Sequence, residues 1–127
     1  MLCKLIALDL DGTLLDGRKA VSARNARALR RAADRGIRIV ISSGRILPEA
    51  LACVRGLDMV SCVSSCNGAF IRDLATGRTI HGRSIGGTAY AEALALVARF
   101  GAFCAVYGEE TVYLDRASAA FHALSDR

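Results

Sequence analysis

Proline is nearly absent from this sequence, since Pro48 is the single one in 127 residues. Its scarcity excludes collagen-like and proline-rich disordered chains, and a composition of 53% hydrophobic and 23% charged residues is that of a globular protein. Also lacking is any run near the ~20 apolar residues that a membrane span needs, because Asp9, Asp11 and an arginine-rich segment break the N-terminal apolar stretch. No charged n-region, apolar stretch and small-residue cleavage site follow one another, so no signal peptide is read. The expected compartment is therefore the cytoplasm, with no membrane partner. The 5 cysteines form an odd set, and Cys62 and Cys66 find no second Cys or His pair at metal-ligand spacing. Reduced thiols in the core fit better than a zinc site. The length suits one domain with one modest core.

The net charge of +5 comes mainly from one segment, which carries Arg18, Lys19, Arg24, Arg27, Arg30, Arg31, Arg35 and Arg38 against Asp34. On a helix, Arg24, Arg27, Arg31 and Arg35 form one stripe that would attract a polyanion. No aromatic residues interleave with them, and no helix-turn-helix or zinc-finger pattern accompanies them. A solvated outer face is the expectation, and a nucleic-acid partner is not.

The order of elements reads as α/β. Leu2 to Leu10 is a short apolar run broken by Asp-Gly, which suits a buried parallel strand. Ser22 is a credible N-cap and Gly36 a C-terminal stop for a helix over 23–35. Ile37, Ile39, Val40 and Ile41 give a second strand, parallel to the first by the crossover rule. Pro48 fits the first turn of a short helix over Glu49 to Arg55, and Met59 to Ser64 a third strand ending at Asn67-Gly68. Ala69 to Asp73 and Arg78 to Gly82 read as a hairpin in which a different layer begins. Thr88 to Phe100 has helical spacing, Phe103 to Tyr107 and Thr111 to Leu114 read as strands, and Ala117 to Leu124 starts another helix. Repeats, low-complexity tracts and long linkers are not found.

Asp9 and Asp11 end the first strand with their side chains expected on the same side, outside the carboxyl end of the sheet, where open α/β sheets place ligands. Two carboxylates in an apolar context are costly unless they bind a cation or share a proton. Taken as Asp-x-Asp alone, the pair reads equally as a turn with Asp9 as a cap. The longer string Asp9-Leu10-Asp11-Gly12-Thr13-Leu14-Leu15-Asp16 is far more specific. It resembles the first motif of the haloacid dehalogenase superfamily, Asp-x-Asp-Gly-Thr-Leu, without mismatch. Val40-Ile41-Ser42-Ser43-Gly44-Arg45 resembles the second motif, and Asn67-Gly68-Ala69 the Asn-Gly-Ala of Cof-type (subclass IIB) members. The order and spacing agree over essentially the whole chain.

The resemblance implies a Rossmann-like core of three parallel strands with helices, with residues 1–82 forming the N-terminal half of the core including the hairpin. Residues 83–127 would begin an α/β cap. It implies a magnesium-dependent phosphate monoester hydrolase in which Asp9 is the nucleophile and Asp11 the acid that protonates the leaving oxygen. Magnesium would sit on the Asp9 carboxylate and the Asp11 backbone carbonyl. Asp11 is expected to hold its proton through repulsion by Asp9. Ser43 would give its hydroxyl to a phosphate oxygen beside the Gly44 amide. Asn67 would meet substrate or orient its loop, and an Asn-Gly turn without catalytic duty is an equal reading. Asp16 is expected to hold the loop. Cys66 lacks a His partner, and Tyr107 and Tyr113 read as sheet packing.

Members of the superfamily also carry a lysine beside the nucleophile and a Gly-Asp-x-x-Asn-Asp string. The lysines of this sequence are Lys4 and Lys19, and no such string follows Leu114. The expectation is a chain that stops inside the cap, with an open sheet edge suited to self-association and little or no phosphatase activity. The alternative is a non-catalytic remnant or subunit fragment that binds magnesium or a partner chain. The expected substrate is a small phosphorylated metabolite, a sugar phosphate or nucleotide, with the cap residues that touch the leaving group largely outside the sequence.

Overall fold

The computed structural model describes residues 3–114. Five strands form one mixed sheet in the order β1 (Leu5–Leu8), β2 (Arg38–Ser42), β3 (Val60–Ser65), β4 (Phe70–Asp73) and β5 (Thr79–Gly82). β1, β2 and β3 are parallel, joined by α1 (Ala23–Ala33) and α2 (Leu47–Cys53). The Rossmann-like α/β expectation is met. The hairpin does not begin a different layer: β4 adds antiparallel to β3 with Ser65 opposite Phe70, so the sheet continues. After it come α3 (Gly87–Phe100) and a separate two-stranded sheet of β6 (Ala105–Tyr107) and β7 (Val112–Leu114). The helix expected over Ala117 to Leu124 lies outside the described residues.

Local sequence accounts for the ends of these elements. The Ser22 hydroxyl accepts from the Asn25 N–H at 3.2 Å, satisfying one of the first-turn donors of α1. At the other end Gly36 adopts φ 80°, where a side chain is unfavourable, and the Ile37 N–H reaches back to the Ala32 carbonyl at 3.2 Å. Arg24, Arg27 and Arg31 on α1 and Arg35 just beyond its end are all exposed, the solvated outer face expected of the stripe.

Burial follows a period of two along β2. Ile39 and Ile41 are fully buried, and Val40 between them is half-buried. They join Leu29 of α1, Leu47, Ala50 and Val54 of α2, and Val60 and Val63 of β3 in one cluster with Leu10, Leu14 and Leu15. β1 departs from the buried strand expected of its sequence, with Leu5 50% exposed. Its only sheet neighbour among the described residues is β2, so it lies at an edge and covers one side only. A bulge shifts the β2–β3 register between Ile39 and Val40. There the Ser61 hydroxyl donates to the Ile39 carbonyl at 2.9 Å, and the extra residue leaves no acceptor stranded.

Ile39→Ala is expected to cost about 2–5 kcal/mol through lost burial and a residual cavity. Ile80→Ala, at an exposed position of β5, is expected to stay within about 0.5 kcal/mol. Denaturant midpoints of the two variants check this, and equal effects would contradict the assignment of the core.

Candidate active site

Three loops leave the carboxyl ends of the parallel strands at one edge of the sheet: Asp9 onward from β1, Ser43 onward from β2, and Cys66 onward from β3. In open α/β folds this edge receives ligands. The first loop is a wide turn in which the Leu14 N–H reaches the Asp9 carbonyl and the Leu15 N–H the Leu10 carbonyl, at 3.2 and 2.9 Å. Gly12 makes the turn possible at φ 76°. Leu10, Leu14 and Leu15 anchor it in the core, which leaves the polar residues between them at the surface.

The Asp9 carboxylate receives the Thr13 hydroxyl on Oδ2 at 3.2 Å, and among the described residues nothing else bonds to it. One oxygen is thus oriented and the other open. Asp11 has different partners. Arg45 Nε donates to its Oδ2 and Arg45 Nη2 to its Oδ1, both at 2.8 Å, and Lys19 Nζ reaches Oδ1 at 2.7 Å. The Arg45 fork first, then the Lys19 hydrogen bond, hold the Asp11 carboxyl well below the usual carboxylate range, and Asp11 in turn raises the Arg45 guanidinium. The proton expected on Asp11 is not favoured by this arrangement: the cations that face it favour the anion, and desolvation opposes them less.

Lys19 comes within reach because the chain doubles back between Leu15 and Val21. Asp16 Oδ1 accepts the N–H groups of Arg18 and Ala20 at 2.9 and 3.0 Å, and Lys19 sits at the tip with φ 59°. These bonds also lower the Asp16 carboxyl, the Ala20 amide first. The structural role expected of Asp16 is the one its hydrogen bonds describe.

The second and third loops are laced together by main-chain bonds. The Ser43 N–H donates to the Ser64 carbonyl at 2.9 Å, the Asn67 N–H to the Ser43 carbonyl at 3.1 Å, and the Cys66 N–H to the Arg45 carbonyl at 2.9 Å. Ser43 is buried, and its hydroxyl oxygen accepts the Arg45 N–H at 3.2 Å. Gly44 lies so near Asn67 that a Cβ there would meet Asn67 Oδ1 at 3.0 Å, and a side chain at 44 would push the Asn67 amide aside. Cys66 and Asn67 are both left-handed, at φ 50° and 54°, and Gly68 follows at 92°. Gly44, Cys66 and Asn67 line a cavity of about 310 Å³ whose fourth wall is Tyr107.

Ser43, Gly44 and Asn67 are therefore together, and Arg45 connects their loop to Asp11. Arg45, Lys19 and Tyr107 are the residues that sequence reasoning missed. Arg45 was signalled by its place in the Ser-Gly-Arg motif, and Lys19 by the Asp16-Gly17 turn that precedes it. Tyr107, read as sheet packing, is 54% exposed, and no local pattern marks it. Cys66 donates its thiol to the Gly108 carbonyl at 3.4 Å, and burial holds the thiol above its ordinary value. It is a poor nucleophile for that reason.

The magnesium expected here would have only a partial donor set, the Asp9 carboxylate and the Asp11 backbone carbonyl. Among the described residues no three His, Cys, Asp or Glu side chains gather into a metal cluster. Two oxygens fit an ion that keeps several waters and takes further ligands from phosphate, and they do not make a cage. The Asp11 carboxylate, already held by two cations, is not a third ligand.

A family model for haloacid dehalogenase-like hydrolases matches residues 6–126, and the chain belongs to that family. It is 44% identical over 82 residues to the phosphatase YwpJ of Bacillus subtilis (strain 168), covering 65% of this chain and 28% of that protein. Among solved structures, a haloacid dehalogenase-like hydrolase from B. subtilis superposes with a TM-score of 0.80 at 32% identity, covering 95% of this chain and 42% of the other. A phosphatase of the superfamily from Bacteroides thetaiotaomicron gives 0.83 at 26% identity, covering 99% and 47%. The chain thus spans less than half the length of these relatives. No helix among the described residues is long and apolar enough to cross a membrane.

Because its folded-state pKa is depressed, pairing of Asp11 stabilises the fold above the ordinary carboxylate range and that contribution is lost as pH falls through the lowered value. In a carboxyl-carbon NMR titration Asp11 is expected to stay ionised below pH ~3.9, the ordinary aspartate value. In Arg45→Gln its midpoint is expected to move up toward that value. An Asp11 midpoint at or above the ordinary value in the unsubstituted protein would contradict the ion-pair geometry.

Proposed function

We propose that this chain carries the nucleophile-bearing part of a magnesium-dependent phosphate monoester hydrolase of the Cof type (subclass IIB). Residues 1–82 supply the core and residues 83–127 the beginning of a cap. The observation that carries the reading is the Asp9 carboxylate, oriented by Thr13 at the strand edge where Ser43 and Gly44 also lie. In-line attack by Asp9 on the phosphorus of a small phosphorylated metabolite, a sugar phosphate or nucleotide, forms an aspartyl-phosphate as the ester oxygen leaves. Water then cleaves that intermediate, releasing phosphate and restoring the carboxylate. The Ser43 hydroxyl and Gly44 amide take phosphate oxygens. Magnesium, when bound at Asp9 and the Asp11 carbonyl, supplies charge neutralisation and alignment.

Asp11 serves as the acid and later the base only when Arg45 and Lys19 release it, since an anion held by two cations has no proton to give. An incoming phosphate competes for the same cations. No lysine other than Lys4 and Lys19 is present to brace the nucleophile, and turnover by these 127 residues alone is expected to be slow.

Inorganic phosphate added with magnesium is expected to shift the amide resonances of Ser43 and Gly44, and p-nitrophenyl phosphate to be hydrolysed slowly, with Asp9→Asn reducing hydrolysis to background. Fast turnover lost in Asp9→Asn would keep the nucleophile and refute the slow rate. Hydrolysis surviving in Asp9→Asn, or shifts confined to the Arg24 to Arg35 stripe, would overturn the assignment itself.

A further inference from the structure

The turn between β6 and β7 is fastened to the five-stranded sheet by groups from four separate places. The Leu47 N–H at the start of α2 donates to the Glu109 carbonyl at 2.9 Å, and the Cys66 thiol donates to the Gly108 carbonyl. From β4, Arg72 Nε donates to Glu109 Oε1 and its Nη2 to Glu110 Oε1, each at 3.0 Å. From β5, the Thr79 hydroxyl donates to Glu109 Oε1 at 2.9 Å. Arg72, then Thr79, keep the Glu109 carboxyl below its ordinary range, so the clamp is charged at neutral pH.

Tyr107 is the residue immediately before this turn. A tyrosine kept for sheet packing is buried, yet half of this one is exposed, and it faces Gly44, Cys66 and Asn67 across the cavity. Tyr113 is the control within the same sheet. It is also exposed and lines a hollow beneath α3 with Leu94 and Val97; Tyr107 borders a neighbouring hollow with the same two residues, but it also lines the cavity at Gly44, Cys66 and Asn67. The volume of about 310 Å³ is the share of roughly ten waters, enough for an organic group of several heavy atoms.

On the phosphatase reading above, we infer that Tyr107 is a specificity-determining residue that contacts the organic group esterified to phosphate, and that the Arg72–Glu109–Thr79 clamp positions it. A phosphate held by Ser43 and Gly44 leaves its ester substituent beside the cavity those loops share with Tyr107. The ring offers an apolar face and the phenol a hydrogen bond, a pairing suited to groups that are partly apolar and partly hydroxylated. This moves one leaving-group contact into the present sequence, where such contacts were expected largely outside it.

The test is calorimetric titration of the 127-residue chain, with magnesium, against three probes: inorganic phosphate, a hexose 6-phosphonate and a nucleoside 5′-phosphonate. The unsubstituted chain is expected to bind one of the phosphonates more tightly than phosphate. Tyr107→Ala is expected to weaken that phosphonate roughly five- to tenfold, the scale of an aromatic contact, and to leave phosphate unchanged. Tyr107→Phe separates ring from phenol, and Glu109→Gln is expected to weaken the same phosphonate without moving phosphate, with thermal midpoints recorded for each variant. Equal weakening of phosphate and phosphonate, no weakening of either, or a chain that binds phosphate and prefers neither phosphonate would overturn the role of Tyr107 while leaving the phosphatase reading intact. Binding of no probe at all would overturn both.

Discussion

One arginine holds the three strand-end loops in a common arrangement. The Arg45 guanidinium grips Asp11 of the first loop, its N–H bonds to the Ser43 hydroxyl in its own loop, and its carbonyl accepts the Cys66 N–H of the third. A planar fork with two 2.8 Å bonds fixes direction as well as distance, which a lysine at the same place would not do. The position of Asp9 relative to Ser43 is therefore not left to the flexibility of exposed loops. One residue, Leu10, separates Asp9 from Asp11 in the chain, so whatever restrains one restrains the other.

The parallel sheet lets such an arrangement form from residues far apart in sequence. Parallel strands end on the same side, and three successive strand ends bring residues near positions 9, 43 and 67 to one edge without a dedicated scaffold. The cost is borne at β1, whose single pairing leaves it half exposed. The side chains after it compensate, because Leu10, Leu14 and Leu15 are buried although they lie in a turn. The loop that carries the carboxylates is for that reason part of the hydrophobic core.

Features governed by near neighbours were legible from the residues alone. Ser22 as a cap, Gly36 as a stop, Pro48 in a first turn and the hairpin about Ala75-Thr76-Gly77 each act over a few positions, and each appears within two residues of where the sequence placed it. The candidate site was legible because its motifs sit at strand ends. What escaped were properties fixed by long-range pairing. Burial of β1 depends on how many strands flank it, and ionisation of Asp11 on Arg45, 34 residues away. The anchoring of Glu109 depends on Arg72, 37 residues away. A Gly-Glu-Glu turn looks the same in sequence whether or not an arginine stands opposite it.

The left-handed run from Cys66 to Gly68 bears on how such a site changes over generations of mutation. Left-handed backbone costs little for glycine, is accessible to asparagine and aspartate, and penalises most other side chains, β-branched ones most of all. At position 67 the genetic code offers many single-base exchanges, but the backbone admits few of them. Diversification of the pocket is thereby channelled away from its floor, where shape is dictated by the main chain, and toward walls such as position 107, where extended strand geometry tolerates nearly any residue.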